Sequence, residues 1–81
     1  MLPSMPAARL RAALDAASGL PPEDVQNVDV LVRAGEWAVA LETLCTQIHE
    51  YDVPVDTAQR ALLETLGGDY GVQVGRLLGE T

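Results

Sequence analysis

The sequence contains no lysine and no phenylalanine, and it has one cysteine, one histidine and one tryptophan. A single cysteine cannot form an internal disulfide, which argues against a disulfide-stapled secreted scaffold. The five basic residues are all arginines and are scattered along the chain. Binding to nucleic-acid phosphates needs clustered positive charge. We therefore expect no direct binding to DNA or RNA.

Long hydrophobic runs are also missing. No segment approaches the roughly 18 apolar residues of a membrane span, and residues 1–6 lack the basic start and apolar run of a secretory signal. We expect a cytoplasmic protein that does not enter a membrane. The 81 residues are 48% hydrophobic and carry a net charge of −7. This composition predicts one small domain with one core and an acidic surface that attracts cationic partners.

Helical spacing and end signals predict an all-α fold. Ser4 is suited to cap a first helix through residues 7–17, which stops at Gly19 in the left-handed conformation. Its apolar stripe consists of Leu10, Ala13, Leu14 and Ala17. Residues 20–25 form the start of a second helix, which Gly35 ends. The inward positions of this helix are Val25, Val28, Leu31 and Val32.

The third helix has the clearest two-sided pattern. Its apolar positions fall within about 40° of one direction at helical spacing: they are Trp37, Leu41, Leu44 and Ile48. The opposite side carries Val39, Glu42, Thr46, His49 and Glu50. The helix is expected to end at residues 52–54, because the residue before Pro54 avoids helical dihedrals.

A fourth helix begins with the capping-box spacing of Asp56 and Gln59 and is predicted to end at Gly67 and Gly68. Residues 69–78 fit two patterns, since they alternate like a strand but also place apolar residues at helical spacing. A lone strand would have nothing to pair with, which favours a short helix. The prediction is a compact bundle of four helices plus a short C-terminal helix.

Residues 35–55 hold the only Trp, the only Cys and the only His, together with one of the two Tyr. Between Arg33 and Arg60 lie five carboxylates and no cation. Tyr51, Val53 and Val55 alternate with acidic residues in a short segment after the third helix. Aromatic anchors ringed by acids are typical of a site that recognises a basic protein surface. The alternative is that this charged side is merely solvated.

The chemically distinctive side chains each have a structural interpretation and a functional one. Trp37 is either a core residue or a partner-facing hot spot. Cys45 lies at the margin of the apolar stripe, and a catalytic role would require a nearby base and an electropositive setting. A metal site from His49, Glu50 and Asp52 would lack the two-histidine or cysteine spacing of a zinc site. No phosphate-binding loop or nucleophile elbow is present. We expect no enzyme, no cofactor and no metal.

The third helix and its exit contain four motifs: Gly35-Glu36, Ala40-Leu41-Glu42, Leu44-Cys45 and Glu50-Tyr51-Asp52. In these motifs the segment resembles the central segment of the MafI-family immunity proteins, small acidic helical proteins encoded beside polymorphic or contact-dependent toxins. The motifs cover about a quarter of the chain strongly. The flanking helices match only in order and length.

The resemblance implies a cytoplasmic antidote in bacterial competition, which binds and neutralises a cognate toxin domain. Many such toxins are nucleases with cationic substrate channels, where carboxylates would stand in for phosphates; the sequence does not establish a nuclease. The predicted partner-binding residues are Val39, Glu42, Thr46, His49, Glu50, Tyr51, Asp52 and Asp56. The alternative is a small helical structural or regulatory module that dimerises or docks onto a larger assembly.

Overall fold

The computed structural model describes residues 5–80, which fold into five helices and contain no strand. The helices are α1 (Met5–Ala16), α2 (Pro22–Arg33), α3 (Trp37–Glu50), α4 (Thr57–Tyr70) and α5 (Val74–Leu77). The radius of gyration is 11.5 Å, close to the value of about 11.7 Å expected for a compact chain of this length. The predicted all-α bundle of four helices with a short C-terminal helix is confirmed. None of the helices within residues 5–80 is long and apolar enough to cross a membrane.

Helix α3 lies at the centre of the bundle, where it packs against every other helix. Its buried side chains are Ala40, Leu41, Leu44, Cys45 and Ile48. The predicted stripe of α1 is buried as a whole, and in α2 Val28 and Val32 are buried while Val25 and Leu31 are partly buried against the core. The side of a helix that faces the core therefore follows from residue spacing alone.

Helices α2, α3, α4 and α5 all end in Schellman-type turns, in which the amide two residues past the C-cap bonds back across the last turn. The residues in the left-handed conformation are Gly35, Asp52, Gly71 and Gly79, with φ between 52° and 86°. Three of them are glycine, for which this conformation carries no side-chain penalty. Asp52 is the exception, with Val53 N donating to Ile48 O at 2.9 Å.

Two predicted helix ends are wrong. Helix α1 ends at Ala16, and Gly19 does not have the positive φ expected of it. Helix α4 continues through Gly67 and Gly68 to Tyr70, and Gly71 ends it instead. The predicted cap at Ser4 lies outside the described residues.

Gly67 does not end α4 but allows another part of the chain to pack closely against it. A Cβ at this position would lie 2.6 Å from the carbonyl oxygen of Val72 and 2.7 Å from Cγ2 of Val74. The chain leading into α5 therefore approaches the backbone of α4 as only glycine permits. This contact fixes the start of α5 against α4.

Candidate partner-binding face

One side of α3 is exposed along its whole length. It carries Val39, Glu42, Thr46, His49 and Glu50, all of which the sequence predicted to lie there. Tyr51 and Asp52 follow directly after the end of the helix, and both are exposed. We call these seven residues the acidic face. Seven of the eight predicted binding residues are thus exposed on α3 or directly after it, and Asp56 follows four residues further along the chain.

Asp56 has a local role instead. Its side chain accepts a hydrogen bond from the backbone N–H of Gln59 at 2.8 Å and so caps α4. Half of the predicted capping box is therefore present. The buried Nε2 of Gln59, which is the donor end of that side chain, has no hydrogen-bond partner among residues 5–80. One oxygen of Asp56 is already engaged, although the side chain is exposed.

The exit loop is less apolar on its surface than the sequence suggested. Tyr51 is 46% exposed, whereas Val53 is only 8% exposed and belongs to the core. Val55 is partly buried against that core. The two valines of the loop therefore face the core, while its acidic residues face outward. Tyr51 alone remains as an exposed apolar anchor there.

Helix α2 adds two acidic residues that sequence reasoning missed. The pKa of Tyr51 is raised by a side-chain hydrogen bond with Asp24 and by the negative charges of Asp24, Glu50 and Glu23. Glu23 and Asp24 belong to the first turn of α2, where acids favour the positive end of the helix. From the sequence, Glu23 and Asp24 indicated only the start of a helix. Only the packing of α2 against α3 brings them to Tyr51.

Ion pairs are distributed unevenly over the described residues. They join four arginines to Asp29, Glu64, Asp69 and Glu80. No such pair among residues 5–80 reaches Glu42, Glu50 or Asp52. The carboxylates of the acidic face are consequently outside these ion pairs. Two arginines lie nearby: Arg76 lines a shallow cavity of about 310 Å³ together with Glu42, and Arg60 lines a cavity together with Asp52.

Trp37 and Cys45 lie away from the acidic face. Trp37 is partly buried against the core and contacts Tyr70, with ring centroids 6.2 Å apart and planes tilted by 39°. This packing agrees with the interpretation of Trp37 as a core residue.

Cys45 is fully buried, and burial raises the pKa of its thiol to about 12. At neutral pH the thiol is protonated and is a poor nucleophile.

The acidic face is suited to contact a surface rather than to enclose a small molecule, because its side chains project from one helix and one loop. Within residues 5–80, no three His, Cys, Asp or Glu side chains are grouped so that they could hold a metal ion.

Comparisons with protein-family models, with curated proteins and with solved structures find no match to this chain.

Proposed function

We propose that this protein binds a cognate bacterial toxin domain through its acidic face and neutralises it, as the resemblance to the MafI-family immunity proteins implies. The observation that carries the proposal is the exposure of Glu42, Glu50 and Asp52 on α3 and directly after it, outside the ion pairs of residues 5–80. Exposed negative charge on a protein with net charge −7 attracts a basic partner.

Tyr51 supports the same proposal. A half-exposed tyrosine offers a large apolar surface and a hydroxyl, and tyrosines are enriched among the residues that dominate binding energy. It stands close to Glu50 and to the two acids of α2. A partner arginine stacked on this ring would meet carboxylates at its edge.

The backbone conformation of Asp52 also supports the proposed binding function. The left-handed conformation at φ 52° suits glycine best, and glycine occupies the equivalent position at the other three Schellman turns. Strained residues of this kind cluster at functional sites, where the side chain is needed. A carboxylate in place of glycine at the exit of α3 is therefore consistent with a binding role.

In this account the carboxylates speed the encounter with a basic toxin and Tyr51 holds the complex together. A toxin whose active site is a cationic channel would be blocked when the acidic face covers it. Charge-steered association slows as salt is added, because exposed charges are screened beyond about 8 Å at physiological ionic strength. We therefore expect the association rate, more than the dissociation rate, to fall with salt.

The decisive experiment pairs this protein with the protein encoded beside its gene. Copurification in a one-to-one complex, together with protection of cells that express the neighbouring protein, would support the proposal. A toxic neighbour that is neither bound nor neutralised would contradict it.

A second measurement separates toxin neutralisation from the alternative of a dimerising helical module. The immunity account predicts a monomer whose affinity for the toxin falls sharply when Tyr51→Ala and Asp52→Ala are combined. Self-association at micromolar concentration that tolerates both substitutions would instead favour the module. Sedimentation velocity of the parent protein and of the double variant decides between these outcomes.

A further inference from the structure

The C-terminal segment folds back onto the molecule after α5. Gly79 N donates to Arg76 O at 3.1 Å and Glu80 N donates to Gly75 O at 2.9 Å. These two bonds close the Schellman turn of α5 around Gly79, whose φ is 86°. Residues 78–80 are thereby directed towards the end of α3.

Gly79 lies directly against the imidazole ring of His49. A Cβ on Gly79 would be 2.4 Å from Cε1 and 2.7 Å from Nδ1 of that ring. A side chain at this position would force the imidazole ring to move, and the positive φ also favours glycine here. His49 is a residue of the acidic face, and part of its ring is covered by the chain's own C-terminal segment.

An ion pair holds the end of this segment. Glu80 pairs with Arg60 of α4, and the two side chains are 48% and 33% exposed. Arg60 also contacts Glu64 one helical turn further along α4, at 3.4 Å. An ion pair this exposed is weakened by water and salt. The attachment is therefore readily reversible.

Beneath the segment lies a small cavity of about 140 Å³. Its walls are formed by Ile48, His49, Asp52, Val53, Val55, Arg60, Leu78 and Glu80. Two of these residues belong to the acidic face, and several others are apolar. Lifting the segment would expose more of His49 and open this apolar wall beside the face.

We propose that residues 78–80 form a strap that closes over the His49 end of the acidic face and opens when the Arg60–Glu80 pair separates. The role of the strap as a cover for a binding site rests on the proposed function. A partner that covers the whole His49 ring has to displace the strap, so the closed strap competes with that contact. Its closure in the free protein is independent of any partner.

The test uses the free 81-residue protein and the fact that His49 is its only histidine. The variant Glu80→Gln removes the ion pair of the strap. The control Glu64→Gln removes the other carboxylate from Arg60 and leaves the strap attached. The rate of imidazole modification by diethylpyrocarbonate is followed by mass spectrometry at one fixed pH for all variants.

We expect Glu80→Gln to raise the modification rate about two- to fivefold, the change in open population that one exposed ion pair supports. Glu64→Gln should leave the rate near that of the parent protein. A nuclear Overhauser contact between the Gly79 Hα and the His49 ring should be present in the parent and in Glu64→Gln, and weakened in Glu80→Gln.

Gly79→Ala provides a second route to an open strap, because its Cβ would collide with the imidazole. It should raise the modification rate at least as much as Glu80→Gln. Equal rates in the parent, Glu80→Gln and Glu64→Gln, or the absence of the Gly79–His49 contact in the parent, would overturn the proposal. Since no partner is involved, that failure would leave the proposed function standing.

Discussion

The carboxylate of Asp24 lies close enough to the hydroxyl of Tyr51 to raise its pKa, and this contact joins the exit of α3 to the first turn of α2. It adds the acids of α2 to a surface that the sequence placed on α3 alone.

The contact can be tested by titrating the two tyrosines. Asp24→Asn removes the largest cause of the raised pKa of Tyr51, so we expect that pKa to fall towards its ordinary value. The pKa of Tyr70, which is raised chiefly by burial, should stay where it is. Ultraviolet difference titration with Tyr70→Phe as the background isolates Tyr51. An unchanged pKa of Tyr51 in Asp24→Asn would refute the contact.

Because of the same contact, the stability of the fold depends on pH in the alkaline range. A phenol whose folded-state pKa is raised contributes stability that is fully present below the unfolded pKa of about 10 and is lost as pH rises through the folded pKa. The free energy of unfolding should therefore fall more steeply with rising pH in the parent than in Asp24→Asn. Urea unfolding at a series of alkaline pH values measures both slopes.

Asp52 should be a position where function and stability conflict. Asp52→Gly relieves the left-handed backbone, and we expect it to raise the free energy of unfolding by about 0.5–1 kcal/mol. Asp52→Ala removes the carboxylate but keeps the backbone penalty, so it should not stabilise the protein. Thermal unfolding of the three proteins makes the comparison. Stabilisation by alanine equal to that by glycine would show that the backbone conformation is not the cause.

The adjacent glycines Gly67 and Gly68 form a matched pair. A Cβ at Gly67 would collide with Val72 and Val74, whereas nothing lies within 4 Å of a Cβ at Gly68. We expect Gly67→Ala to destabilise the fold by about 1–3 kcal/mol. Gly68→Ala should stabilise it by up to about 1 kcal/mol, because alanine favours a helix interior. Similar unfolding midpoints for both variants would contradict the close packing of α5 on α4.

The thiol of Cys45 should be protected in the folded protein. It is fully buried and its pKa is raised to about 12, so a thiol reagent at neutral pH should react only when the chain opens. The labelling rate should follow global unfolding and rise steeply in urea. Glutathione under the same conditions gives the rate of an exposed thiol. Labelling of the native protein at that rate would show that Cys45 is accessible.

Residue spacing predicted which side of α1, α2 and α3 is buried, because a fixed helical period decides that locally. Spacing could not show that Gly67 lies inside α4, since a glycine that ends a helix and one that permits close packing look alike in sequence. It also could not place Glu23 and Asp24 beside Tyr51. That arrangement depends on how α2 packs against α3.

The exit loop shows the same limit on the functional side. Alternating acidic and apolar residues suggested a row of exposed anchors, but burial of Val53 leaves only Tyr51 exposed as an apolar anchor in that segment. The covering of His49 by Gly79 likewise joins residues that no local pattern connects. The acidic side of α3 was therefore predictable, while its boundaries were set by tertiary packing.

The central claim is that the acidic face, rather than acidity in general, binds the toxin. Two double variants remove equal charge, Glu42→Gln with Glu50→Gln on the face, and Asp15→Asn with Glu64→Gln outside it. Calorimetric affinity for the toxin encoded beside the gene is the most direct measurement. We predict that the first pair weakens binding at least about tenfold, while the second changes it by about twofold at most. Equal losses from both pairs, or no loss from the first, would contradict the account.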